Sequence, residues 1–109
     1  MATSKEYLLF VLDRLSDLEE ISYKQMMGEY IVYYKGKIAA YVCDNRVLIK
    51  PVKSALSLMP KAPLQVPYEG AKEMLLAENI EDRNFMTKLF RAIYDDLPSR
   101  SRRKSDKLK

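Results

Sequence analysis

The sequence predicts an α+β domain with helices packed on one face of a four-stranded antiparallel sheet, in the order α-β-β-β-α-β-α. Three observations carry this. Apolar residues recur at helical period near both ends of the chain. Residues 29–50 turn β-branched and aromatic between two tight-turn signals. A short apolar run, Met74-Leu75-Leu76-Ala77, precedes the last helical stripe. With 109 residues and 48% apolar composition, the chain is one domain's worth and can bury a core without disulfides or metal.

The elements follow in order. Thr3 and Glu6 sit at capping-box spacing, and Tyr7, Leu8, Val11, Leu15 and Leu18 then repeat at helical period, predicting a helix over about residues 4–18. Lys35-Gly36 and Asp44-Asn45 accept the positive φ of two-residue hairpin turns, which divides the next stretch into strands near 29–34, 37–43 and 46–50. Val52, Ala55, Leu56 and Met59 fit a short helix stopped by Pro60. Pro60, Pro63 and Pro67 keep the chain extended to Gly70, and Lys72 to Glu78 holds the fourth strand. The closing helix begins near Asn79 to Asp82 and repeats Phe85, Leu89, Ile93 and Leu97, with Met86 and Phe90 beside them, up to Pro98.

Two-residue turns fix a register in which Tyr34 opposes Lys37, Tyr30 opposes Tyr41, Cys43 opposes Arg46 and Tyr41 opposes Leu48. One face then carries Ile31, Tyr33, Ile38, Ala40, Val42, Val47 and Ile49, and is expected under the helices. The other carries Tyr30, Val32, Tyr34, Lys37, Ala39, Tyr41, Cys43, Arg46, Leu48 and Lys50. That mixed face admits three readings: a half-solvated sheet surface held by cross-strand tyrosine pairs, a dimer or partner surface of Tyr with Arg, or a stacking platform for single-stranded nucleic acid. Its candidate contact residues are Tyr30, Tyr34, Tyr41, Arg46 and Lys50, and the segment 51–70 is the alternative contact for a partner.

Catalytic chemistry is thinly represented. The chain has no histidine, so the commonest general base, the usual metal ligand and the Ser-His and Cys-His nucleophile pairs are missing. Its single cysteine, Cys43, excludes an internal disulfide and a cysteine-rich zinc site, and with Asp44 beside it reads as a structural thiol. The adjacent acidic pairs Glu19-Glu20, Glu81-Asp82 and Asp95-Asp96 do not share a helix face and read as solvated surface. Gly28, Gly36 and Gly70 lie too far apart for a phosphate loop. No catalytic, cofactor-binding or metal site is expected. Met26 and Met27 fit the edge of the core or an adaptable protein-binding surface.

The formal charge of +4 is unevenly divided. Six basic residues against Asp106 make residues 99–109 a +5 tail, leaving residues 1–98 at −1. With almost nothing apolar to bury, the tail is expected to be disordered when unbound, and Arg100, Arg102, Arg103 and Lys104 are its candidate nucleic-acid contacts. No run approaches the ~20 apolar residues of a membrane span and no signal-peptide pattern opens the chain, so a cytoplasmic protein without membrane contact is expected.

Several motifs in this order resemble the N-terminal domain of the TfoX/Sxy competence regulators. They are Tyr23-Lys24-Gln25-Met26-Met27-Gly28-Glu29-Tyr30, Tyr33-Tyr34-Lys35-Gly36-Lys37, Asp44-Asn45-Arg46-Val47-Leu48-Ile49-Lys50-Pro51, and Pro67-Tyr68-Glu69-Gly70-Ala71-Lys72 with Met74, completed by the closing helix to Leu97-Pro98. The likeness covers residues 1–98, in a stand-alone form whose basic tail stands where those regulators carry a second domain. It implies an α+β fold and a non-enzymatic co-regulator of competence-gene transcription, acting with a protein partner of the cyclic-AMP receptor type. Homodimerisation and DNA contact through the tail are the further partner expectations.

Overall fold

The computed structural model describes residues 3–26 and 28–98. Its elements are α1 (Lys5–Arg14), β1 (Ile21–Met26), β2 (Glu29–Tyr34), β3 (Lys37–Cys43), β4 (Arg46–Ile49), α2 (Lys53–Leu58), β5 (Leu64–Gln65), β6 (Met74–Leu76) and α3 (Arg83–Ile93), followed by a 3-10 turn over Tyr94–Asp96. The strands form one antiparallel sheet in the order β1-β2-β3-β4-β6-β5. The class is α+β as expected, but the sheet has six strands rather than four. β1 escapes a sequence reading because it is an edge strand with five of its six residues exposed, so no apolar alternation marks it. β5 has only two residues, set between Pro63 and Pro67. Among the described residues, no helix is long and apolar enough to cross a membrane.

Each helix is fastened at its start by a side-chain acceptor. Ser4, not Thr3, caps α1, its Oγ accepting the Tyr7 N–H at 3.1 Å. Thr3 is instead buried, its hydroxyl 3.0 Å from Glu29 Oε1 while it accepts the Asn45 N–H at 3.3 Å. α1 ends at Arg14, before the expected residue 18, yet Leu15 and Leu18 still reach the core. α2 has no cap of its own; Asp96 Oδ2 accepts the Ser54 N–H at 3.0 Å and its O–H at 2.7 Å, tying α2 to the end of α3. Asp82 caps α3 by accepting the Phe85 N–H at 3.0 Å.

Both central hairpins turn through two residues of positive φ, Lys35 (51°) with Gly36 (84°), and Asp44 (51°) with Asn45 (53°), the geometry that matches strand twist. Tyr34 therefore opposes Lys37, Cys43 opposes Arg46 and Tyr41 opposes Leu48, as expected. The expected pairing of Tyr30 with Tyr41 fails. Tyr33 pairs with Ile38 but Val32 pairs with Ala40, so Ala39 is the extra residue of a β-bulge and the rest of the ladder slips by one.

Because side chains alternate with period two, that slip turns over the assignment of β2. Tyr30, Val32 and Tyr34 join Ala40, Val42, Val47, Ile49 and Leu75 beneath the helices, against Leu8, Val11, Leu15, Met86, Leu89, Phe90 and Ile93. Ile31 and Tyr33, expected in that core, belong to the opposite face. Tyr34 packs edge-on to Tyr94 at 5.4 Å and tilted to Phe90 at 6.3 Å. Lys37 also lies on the helix side: its Nζ donates to Tyr94 O at 3.0 Å and sits 4.1 Å from that ring, a cation at the carbonyl end of α3.

Candidate partner-binding face

The face away from the helices is built from the alternate residues of the same strands. β2 supplies Glu29, Ile31 and Tyr33, β3 supplies Tyr41 and Cys43, β4 supplies Arg46 and Leu48, and β6 supplies Met74 and Leu76. Cys43, Leu48 and Met74 form a second apolar cluster, with Tyr41 and Leu76 packed on it. None of the three helices belongs to this cluster. Its cover is the extended segment that the prolines hold open after α2, and Tyr68 from that segment is 59% exposed.

Arg46 fixes the segment in place. Its Nη1 donates to Gln65 Oε1, its Nη2 donates to Val66 O at 3.3 Å, and its Nε donates to Cys43 O at 3.3 Å. One guanidinium thus ties the β3–β4 turn to β5 and the residue after it, with Tyr68 two positions further on. Beside it lies a cavity of about 310 Å³ lined by Met26, Glu29, Ile31, Tyr41, Cys43, Pro67 and Tyr68. A second, of about 420 Å³, lies across Tyr41 and Tyr68 and adds Lys50, Pro51, Gly70, Lys72, Glu73 and Met74. The two tyrosines wall both.

Of the five residues expected on this surface, Tyr41, Arg46 and Lys50 lie on it. Tyr30 and Tyr34 do not: at 5% and 4% exposure they are core residues of the helix side, because the bulge at Ala39 reverses β2. Pro67 and Tyr68 belong to the 51–70 segment, the other contact the sequence offers, and the structure sets them beside Tyr41, a juxtaposition that no strand register predicts because they lie outside the ladder. Arg100, Arg102, Arg103 and Lys104 lie outside the described residues.

A curated relative frames these features: the uncharacterized 12.7 kDa protein in the trpE 5′ region of Spirochaeta aurantia is 31% identical over 106 residues, spanning 96% of this chain and 92% of that protein. The chain belongs to that protein's family. No family model matches the chain, and no solved structure matches it. The family likeness runs through the sheet, the Pro63–Tyr68 segment and all three helices.

Burial raises the pKa of the Cys43 thiol, opposed by the nearby Arg46 charge, with Glu29 and Asp44 adding smaller upward pushes. Asp44, the neighbour expected to govern this thiol, is thus a minor influence beside desolvation. Burial also raises the Tyr41 hydroxyl, with Tyr68 the next cause. Both groups stay protonated at neutral pH. Among the described residues no group of three acidic or cysteine side chains gathers as metal ligands would.

Proposed function

We propose that this chain is a non-enzymatic protein-interaction module, a regulator of TfoX type, that receives an apolar side chain of its partner in the groove between Tyr41 and Tyr68. The observation that carries the reading is the pair of tyrosines walling an apolar groove on the sheet face that the three helices leave uncovered. Tyr presents a large contact area at small conformational cost, and Arg46 holds the Tyr68 segment ready, so less ordering remains to be done on binding. The partner class, a transcription regulator of the cyclic-AMP receptor type, and a role in competence-gene expression follow from the family resemblance of the motifs.

Calorimetric titration of the full chain with that receptor tests the reading. Tyr41→Ala and Tyr68→Ala are each expected to weaken binding by about 2 kcal/mol, roughly thirty-fold, as central interface tyrosines do. Unchanged affinity in both variants removes the groove from the interface. The +5 charge of residues 99–109 supports a second reading, association with nucleic acid through the tail. Replacing Arg100, Arg102, Arg103 and Lys104 by Gln should then weaken duplex-DNA binding and flatten its logarithmic salt dependence by ~0.9 for each phosphate that is no longer neutralised. An unchanged salt slope excludes those four residues.

A further inference from the structure

The two edges of the sheet are unequally guarded. β5 ends one side as two residues between prolines, a blunt edge that offers little to pair with. β1 ends the other as six regular residues without proline, paired along their whole length with β2, with Lys24 as their single charge. Among the described residues no strand lies against its outer side.

The polarity of that edge can be read from the ladder. Lys35 N–H donates to Glu20 O at 3.0 Å, and the register continues without a break from Ile21 opposite Tyr34 to Met26 opposite Glu29. Bonded pairs alternate in an antiparallel ladder. Ser22, Lys24 and Met26 therefore bond inward to β2, while Ile21, Tyr23 and Gln25 direct their N–H and C=O groups outward.

We propose that β1 pairs antiparallel with β1 of a second copy about a two-fold axis through Tyr23, joining two sheets into one. A two-fold axis perpendicular to the sheet keeps each side chain on its own face. Centred on Tyr23, it sets the two Tyr23 residues opposite each other, Ile21 opposite Gln25 and Ser22 opposite Lys24. The outward groups of Ile21, Tyr23 and Gln25 then all find partners. Centred one residue later, the axis would set Lys24 against Lys24, a like-charge pair that opposes association. Tyr23 is already positioned: it is 42% exposed and stacks edge-on to Tyr30 at 5.8 Å, so pairing extends an existing aromatic contact. The contact is isologous and uses the long open edge of each copy, so it closes at a dimer. Two short strands bury less than the about 1,200–2,000 Å² of a permanent interface, so this dimer forms with rising concentration. It is independent of the Tyr41–Tyr68 groove.

Sedimentation velocity of the full chain from about 1 μM to about 1 mM tests it, the range in which weak dimers form. A concentration-dependent dimer is expected. Gln25→Pro, which removes an outward N–H and no bond to β2, should raise the dimer Kd about ten-fold or more with the circular dichroism spectrum unchanged. Independently of that variant's folding, mild oxidation should cross-link Tyr23→Cys into a covalent dimer, since bonded antiparallel partners stand ~5.5 Å apart at Cα, within disulfide reach. Lys24→Cys should cross-link far less. A monomer at every concentration, a dimer that survives Gln25→Pro unweakened, or equal cross-linking at positions 23 and 24 overturns the proposal.

Discussion

One sheet presents two faces made by the same strands, and they differ in what covers them. The helix side closes over buried side chains from all three helices, Phe90, Leu89, Leu8 and Ala55 among them, and is a core in the full sense. The opposite side gathers a smaller cluster, Cys43, Leu48 and Met74, beneath Tyr41 and a proline-braced segment pinned by one arginine. Alternation alone does not decide which face receives helices. The helices choose the face that offers continuous apolar volume, and the bulge at Ala39 makes that face continuous by bringing Tyr30, Val32 and Tyr34 into phase with Ala40 and Val42.

Inserting one residue between Val32 and Tyr33 is the most severe way to break the distinction. Set opposite Ala39, it would remove the bulge and, with Val32 still opposite Ala40, swing Tyr34 and Lys37 away from the helices or force the turn to rearrange. The cost should rival the whole stability of a small domain, about 5–15 kcal/mol, and show as loss of a cooperative melt by circular dichroism. Phe90→Ala, by contrast, empties one fully buried site and should cost about 3–5 kcal/mol in denaturant unfolding.

The sharpest comparison sets two tyrosines side by side. Tyr34→Ala removes a ring enclosed by Phe90 and Tyr94 and should cost about 3 kcal/mol, whereas Tyr41→Ala, on the half-buried side, should cost about 1 kcal/mol and act mainly on partner binding. Equal losses in chemical denaturation would erase the difference between the faces.

Cys43 reports on the cover of the open face without touching stability directly. Buried and with its pKa raised by desolvation, the thiol should react slowly with a disulfide reagent at pH 8 in the native protein. Arg46→Ala frees the segment above it and should speed the reaction. An unchanged rate would mean that the arginine does not hold that cover.

The smallest effect lies at Asp96, whose pKa is lowered by the hydrogen bonds from the Ser54 side chain and backbone. A carboxylate with a depressed folded pKa adds stability that is complete above its unfolded pKa and disappears as pH falls through the folded value. Melting temperature should therefore decline slightly more steeply on acidification in the unaltered chain than in Asp96→Asn. Parallel curves would show that the tie between α2 and the end of α3 contributes nothing measurable.

The sequence by itself determined the α+β class, all three helices, the bounds of β2, β3 and β4 to within a residue, and both two-residue turns. These are local: apolar period, proline stops and turn residues act over a few positions. It also placed Tyr41, Arg46 and Lys50 on one surface, because β3 and β4 pair without irregularity. Tertiary structure alone decided the facing of β2, since a one-residue bulge leaves no trace in composition yet reverses every side chain beyond it. It alone disclosed β1, whose exposed edge bears no apolar stripe, and the groove, whose Tyr68 wall is brought to Tyr41 by a segment with no ladder to predict it. Local chemistry selected the elements; long-range packing selected which of their faces the helices would cover and which they would leave open.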